Sequence, residues 1–376
     1  MDLTAGGARA VPVARSERTG LVPAATVLAG SVISLVGLTW DIQWHGDVGP
    51  DTFFTMPHLF LYSGSAISGL ASLVVVLMTT AARRAGRPVD ARVGGRAINV
   101  FGKIFAAPAG YLVTGTGAAM FLLYGLWDQW WHGLYGFDAV IDSPPHIGLL
   151  LSITLSIIGT VMVFAAAREH RWGTVGVVGS LGVLIAFSTV TVLGLQQIDV
   201  DGLDVVSVGI ALLSVLLVSA GAGFWGRPGG AVRVAAALAV IQAITWWFSP
   251  WAAEAYASAV GLPMRDYIDG VPAMPSMMPM ALLPIAAVLE AVYLLSRRWT
   301  AGRVSVLAGV IGGLLVGASM PIQNAIVYGS DRMPWAVVFA TGAAGAVVGL
   351  LGGFAGWRFG GMLRLLAPAK GENAHA

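Results

Sequence analysis

Ten apolar stretches divide this sequence, each close to the roughly 20 residues that a helix needs to cross a hydrocarbon core. They lie at about 22–44, 56–80, 104–127, 146–167, 174–195, 203–224, 230–248, 275–296, 303–323 and 335–357, by that same length requirement. With 57% hydrophobic and only 11% charged residues over 376 positions, and a mean hydropathy of +0.79, the chain is too apolar for a soluble core. It is expected to be an all-α polytopic membrane bundle of ten helices in five hairpins, because helices satisfy their own backbone in lipid. Glycine runs such as Gly179 to Gly182 and Gly345 to Gly353 read as surfaces for close helix approach. They lack the strand-then-helix setting of a phosphate loop.

Charge gives the expected orientation. Of the 21 basic residues, all but Arg265 and Arg332 fall on one side of a ten-helix count. These are Arg9, Arg15 and Arg18, the connection from Arg83 to Lys103, Arg168 with Arg171, Arg227 with Arg233, Arg297, Arg298 and Arg303, and Arg358, Arg364 and Lys370. The other side collects acids, among them Asp41, Asp47, Asp51, Asp128, Asp138, Asp142, Asp199, Asp201, Asp204, Glu254, Asp266, Asp269 and Asp331. Both termini are therefore expected in the cytoplasm of a multi-pass plasma-membrane protein, with tails at 1–21 and 358–376. The N-terminal stretch has no apolar segment ending in a processing site, so it reads as a tail and not a cleaved signal. Basic residues in short loops, without an interleaved aromatic face, argue against a nucleic-acid partner. The lipid bilayer is the expected environment.

Within this frame one motif occurs twice. Trp40-Asp41-Ile42-Gln43-Trp44-His45-Gly46 is followed by Pro57-His58, and Trp127-Asp128-Gln129-Trp130-Trp131-His132-Gly133 by Pro145-His146. Each copy puts a carboxylate and an imidazole one helical turn apart at a helix end, with a second imidazole where the next helix starts. That is an oxygen and two nitrogens per hairpin, and it uses four of the six histidines. An Asp and a His on one helix face can simply satisfy each other. Two copies with the same core favour function, since ionisable groups at membrane depth are costly without a role. Cysteine is absent, so a transition metal must be held by His, Asp, Glu, Met or backbone oxygen. Two imidazoles and a carboxylate suit copper, zinc or iron alike. Asp41, His45, His58, Asp128, His132 and His146 are the candidate metal ligands. Residues 22–167 form the expected four-helix metal-binding region, and 168–357 six further spans.

Other features carry two readings each. Trp40, Trp44, Trp127, Trp130 and Trp131 either wall a dry site or form the interfacial tryptophan belt. Met274, Met277, Met278 and Met280 could bind Cu(I), but flexible apolar packing at a helix start is favoured. Glu290 is either a proton relay or, as favoured, a group partnered on a neighbouring helix or snorkelling. Gln196, Gln197, Gln323 and Asn324 are expected in interhelical hydrogen bonds.

The motif pair resembles the C subunit of the copper membrane monooxygenases, which oxidise methane, ammonia or short hydrocarbons. The family's Asp-x3-His-x12-His is matched by Asp41, His45 and His58, and Asp51-Thr52-Phe53-Phe54-Thr55 resembles its Asp-Thr-x-Phe-Thr stretch. Its Asn-x3-His-x13-His is matched in spacing by Asp128, His132 and His146, with Asp128 in place of Asn. The resemblance covers about residues 22–167. It implies a catalytic copper held by Asp41, His45 and His58, and a neighbouring site formed by residue 128 and His132 with His58 turned towards them. His146 has no role assigned by the resemblance. The activity implied is O2-dependent oxidation of a small-molecule substrate, apolar or ammonia-like. The chain carries no soluble copper domain, haem motif or flavin fingerprint, so this reading implies an electron donor and partner membrane or periplasmic subunits. Two readings stand beside it: membrane capture or transport of copper or zinc without redox catalysis, and a non-metallic scaffold or small-molecule carrier.

Overall fold

The structure, a computed structural model, describes residues 20–136, 142–268, 270–296, 298–330 and 332–368. Residues 1–19 of the expected N-terminal tail, Asp138, Asp269, Arg297, Asp331 and Lys370 lie outside them. Among the described residues ten spans are long and apolar enough to cross a membrane, and the protein is an all-α polytopic bundle. The helices are α1 (Leu21–Asp47), α2 (Met56–Arg84), α3 (Ala109–Tyr135), α4 (Pro144–Ala166), α5 (Arg171–Thr191), α6 (Val205–Trp225), α7 (Gly230–Val260), α8 (Ala273–Met277), α9 (Leu282–Leu295), α10 (Ala301–Val327) and α11 (Trp335–Leu363). The short α8 and α9 together make one span.

Close contacts between small residues set the packing, as expected where lipid removes the hydrophobic drive between helices. A Cβ on Gly30 of α1 would collide with Ser68 and the Gly64 carbonyl of α2. A Cβ on Gly117 of α3 would run into the backbone of Ser152 and Ser156 in α4. Gly30 precedes Asp41, and Gly117 precedes Asp128, by the same eleven residues, so both hairpins cross at an equivalent point. The duplication therefore extends down the helices well beyond the motif. Gly309, Gly313 and Gly317 of α10 meet Gly345, Gly349 and Gly353 of α11 backbone to backbone.

Three local features depart from the expected spans. The third was expected from about residue 104, but Ala97–Val100 (β1) and Phe105–Pro108 (β2) pair as an antiparallel hairpin first, and α3 starts at Ala109. Thr80 fixes this hairpin to α2 by exchanging hydrogen bonds with Ala106 N and O, both at 3.0 Å. The seventh was expected to stop near residue 248, yet α7 continues through Pro250 to Val260, a break that neighbouring helices can absorb within a bundle. The eighth is interrupted at Met278 to Ala281. There Gln323 Nε2 donates to Ser276 O (2.6 Å) and Met278 O (3.0 Å), and Met280 N donates to Gln323 Oε1 (2.8 Å). Gln242 Nε2 adds bonds to Pro275 O and Met278 O, both at 2.9 Å. Gln242 thus serves the Pro275 carbonyl that Pro279 cannot reach, and Gln323 serves backbone groups left open by the break.

Candidate metal centres

The last turn of α1 carries Asp41 and His45 on one face, and Gly49 ends the helix with φ +104°, a conformation open to glycine. Val48 N and Gly49 N both donate to Trp44 O at 2.9 and 3.0 Å, and Trp44 Nε1 donates to Pro50 O at 2.8 Å. The loop is therefore folded back over α1, which returns Asp51 to the carboxylate and imidazole it has just left. Pro57 at the start of α2 places His58 in that helix's first turn, facing the same point.

Four side chains converge there. His58 Nε2 lies 3.1 Å from Asp41 Oδ1 and 3.4 Å from Asp51 Oδ2, and His45 Nε2 lies 3.3 Å from Asp51 Oδ2 and 3.8 Å from Asp41 Oδ1. His58 Nδ1 is 2.9 Å from Thr52 O. A carbonyl only accepts, so Nδ1 carries a proton, and once Nε2 gives up its own that nitrogen can offer its lone pair inward, as a metal-bound histidine does. Burial pushes the Asp51 carboxyl up, but the His45 hydrogen bond, the charge of His58 and the Thr55 hydroxyl together bring it below its ordinary value. Asp51 was not among the six expected ligands. Its signal was a carboxylate at an apolar hairpin tip between His45 and His58. Asp138 stands ten residues after Asp128 as Asp51 does after Asp41, but lies outside the described residues.

The second hairpin repeats the arrangement. Asp128 Oδ1 is 3.3 Å from both His132 Nε2 and His146 Nε2, and the two nitrogens are 3.3 Å apart. His132 Nδ1 donates to Gly136 O at 2.9 Å, which again leaves Nε2 inward. An ion bound tetrahedrally at about 2.0–2.1 Å separates its ligands by about 3.3–3.4 Å, so this equal-sided triangle fits three vertices without rearrangement. Asp41 Oδ1 and Asp128 Oδ1 are both buried and accept no aligned hydrogen bond, a cost that a bound cation would remove. Both sets thus suit a borderline transition metal such as copper, zinc or iron. The resemblance turns His58 towards residue 128. The structure instead groups His146 with Asp128 and His132, and no ligand is shared between the two groups.

All seven side chains line one cavity of about 260 Å³. Its remaining wall is mainly aliphatic, including Leu38, Leu61, Leu149, Leu150, Ile153 and Leu193, joined by Phe53 and Tyr62. No tryptophan lines it. Trp40 and Trp44 are buried against α7, with ring contacts to Tyr256 at 5.6 and 4.8 Å, while Trp127 and Trp130 are exposed, as interfacial residues would be.

Segments beyond residue 168 hold the end of α1 and the first loop in place. Arg265 N donates to Asp47 O (2.8 Å) and Arg265 Nε to Val48 O (3.3 Å), and Ala273 N donates to Gln43 Oε1 (2.8 Å). Met274 and Met278 are fully buried in the main apolar core, in line with packing and not with a thioether site. Glu290 accepts from Ala231 N at 2.8 Å and so caps the start of α7 from a neighbouring helix, the favoured of its two readings. Gln323 makes the expected interhelical bonds, whereas Gln196 and Gln197 are exposed at a turn. No protein-family model, curated protein or solved structure matches the chain.

Proposed function

We propose that this protein is a copper-binding membrane subunit that takes part in O2-dependent oxidation of an apolar small molecule. One observation carries the reading: two separate Asp/His sets face a single cavity whose other walls are aliphatic. A pair of sites built only to hold hairpins together would gain nothing from an apolar chamber between them. Copper, when bound, would supply one-electron redox chemistry towards oxygen. The chain's own residues do the rest. Asp41, His45, Asp51 and His58 bind one ion, Asp128, His132 and His146 a second, and the Thr52 and Gly136 carbonyls keep the imidazoles in the binding tautomer. The leucines and isoleucine exclude water and receive the substrate. Asp128 in place of the asparagine of the resembling family adds a negative charge, which favours a divalent over a monovalent ion. The basic residues support an extracytoplasmic position for the motif end in the cell membrane, where an electron donor and partner subunits would dock.

The test is metal analysis of the purified chain with oxygen consumption in native membranes. Two copper ions per chain and oxygen uptake that falls in His58→Ala are expected. Absence of copper, or copper content unchanged by His58→Ala, refutes the reading. One observation favours capture of copper or zinc instead: a cleft of about 340 Å³, lined by His132, Asp142, Ser143 and Gln197, lies against the second site. Metal uptake into proteoliposomes without oxygen consumption would decide for capture.

A further inference from the structure

A second apolar space meets the metal cavity from the side. Between α2 and α3 runs a groove of about 760 Å³, and Phe53 and Tyr62 line both it and the metal cavity. We propose that this groove seats a single unbranched alkyl chain from the bilayer and leads it to the metal cavity past the Phe53–Tyr62 pair. Resting on the oxidative reading above, this makes the substrate a long-chain, membrane-dissolved molecule and not one of gas size.

The groove's construction points to a chain. Its lining contains no charged residue. The hydroxyls of Ser72 and Thr116 are bonded back to their own helices, at 2.8 Å to Ser68 O and 2.8 Å to Leu112 O, so they ask nothing of an occupant. Small residues bring the two helices together at the floor. A Cβ on Gly69 would lie 3.0 Å from Ala118 Cβ, and one on Gly115 3.3 Å from Ser72 Cβ. Leu70, Leu73, Leu122 and Leu126 are exposed and stand along the rims. Tyr62 to Val76 on α2 spans about 21 Å at 1.5 Å per residue, most of the ~30 Å hydrocarbon thickness.

What covers the groove follows from where it lies. Both helices are membrane spans, so the medium against an outward trough along them is hydrocarbon tails. A chain entering it stays parallel to its neighbours and leaves no apolar surface newly exposed to water. At the far end the rings of Phe53 and Tyr62 are 4.9 Å apart, and Tyr62 stacks on His58 at 5.9 Å. The chain's end is then separated from a metal ligand by one aromatic ring. Phe53 sits in the loop before α2, not on a helix, so this partition is made of one anchored and one loop-borne ring.

The test uses the full chain in phosphatidylcholine nanodiscs, loaded with Cu2+, and stearic acid carrying a nitroxide near either end. Cu2+ is expected to speed relaxation of one label position more than the other, and zinc-loaded protein to lose the effect. Ala66→Phe and Ala119→Phe, at exposed groove positions, should abolish it with copper content unchanged. A diazirine-bearing alkane should label α2 and α3 in the wild type and not in these variants, with or without copper. Copper bound, with relaxation and labelling untouched by both variants, overturns the groove and leaves the oxidative reading. Labelling intact in a protein that binds no copper supports the groove and sinks that reading. Dimers that the two variants dissolve, without labelling, would give the groove to a helix of a second copy and overturn the proposal.

Discussion

Asp51→Ala separates the two centres in one measurement. In the first centre Asp51 Oδ2 contacts both imidazoles, at 3.3 Å from His45 and 3.4 Å from His58, whereas His45 is 3.8 Å from its other carboxylate. Removing Asp51 therefore deletes one donor and loosens a second. Four protein ligands to a structural zinc ion yield about 10–16 kcal/mol in total, so one donor contributes on the order of 2.5–4 kcal/mol, or ~60- to 700-fold in affinity. The second centre shares no ligand with the first and should keep its affinity. Titration of the metal-free protein with Cu2+ against a competing chelator would show two phases in the wild type, one of which weakens by about two to three orders of magnitude in the variant. Equal weakening of both phases would mean that the centres share an ion. No change in either would remove Asp51 from the ligand set.

Three further outcomes follow from the packing and the ionisation of the centres. Gln323→Leu leaves Ser276 O and Met280 N without partners while Gln242 still serves Met278 O, and should cost about 2 kcal/mol or more, read as a lower thermal midpoint in detergent. An unchanged midpoint would mean the break in that span is satisfied otherwise. Gly117→Leu forces α3 off the Ser156 backbone and should release the second ion but not the first, checked by metal content per chain. The Asp51 carboxyl lies below its ordinary value, so its stabilising charge is fully present above about pH 4 and is lost only as pH falls through the lower folded value. Metal binding needs neutral imidazoles, so copper should instead leave well above that pH, with helical circular dichroism retained. Release confined to below about pH 4 would argue that carboxylates alone bind the metal.

The ten spans were legible because their signal, apolar length, is local and physical. The repeated Asp/His pair was legible for the same reason, since positions four apart must share a helix face. Asp51 was not, because its position depends on a loop that folds back through Trp44, Pro50 and the positive φ of Gly49. Which second histidine joins Asp128 is a tertiary matter as well. His146 wins because the α3–α4 crossing at Gly117 brings the start of α4 onto the end of α3. The tryptophans answer to more than one of their readings: α7, extended past Pro250, claims Trp40 and Trp44, Trp127 and Trp130 are exposed as a belt would be, and leucines take the wall. Of the strand pair before α3, β2 was hidden at the start of an apolar run that hydropathy counts as helix, and β1 in the basic connection before it.

The equivalent crossings at Gly30 and Gly117 have a mechanical corollary. Each ligand set is anchored within its own hairpin, at a fixed distance from that hairpin's pivot, while the chamber between the sets belongs to neither. Tilting one hairpin against the other along the Gly69–Ala118 contact would widen or narrow the chamber and leave every metal–ligand distance as it was. Substrate size and metal affinity are then independent design variables, and substitutions confined to the face where α2 meets α3 can retune the first without disturbing the second.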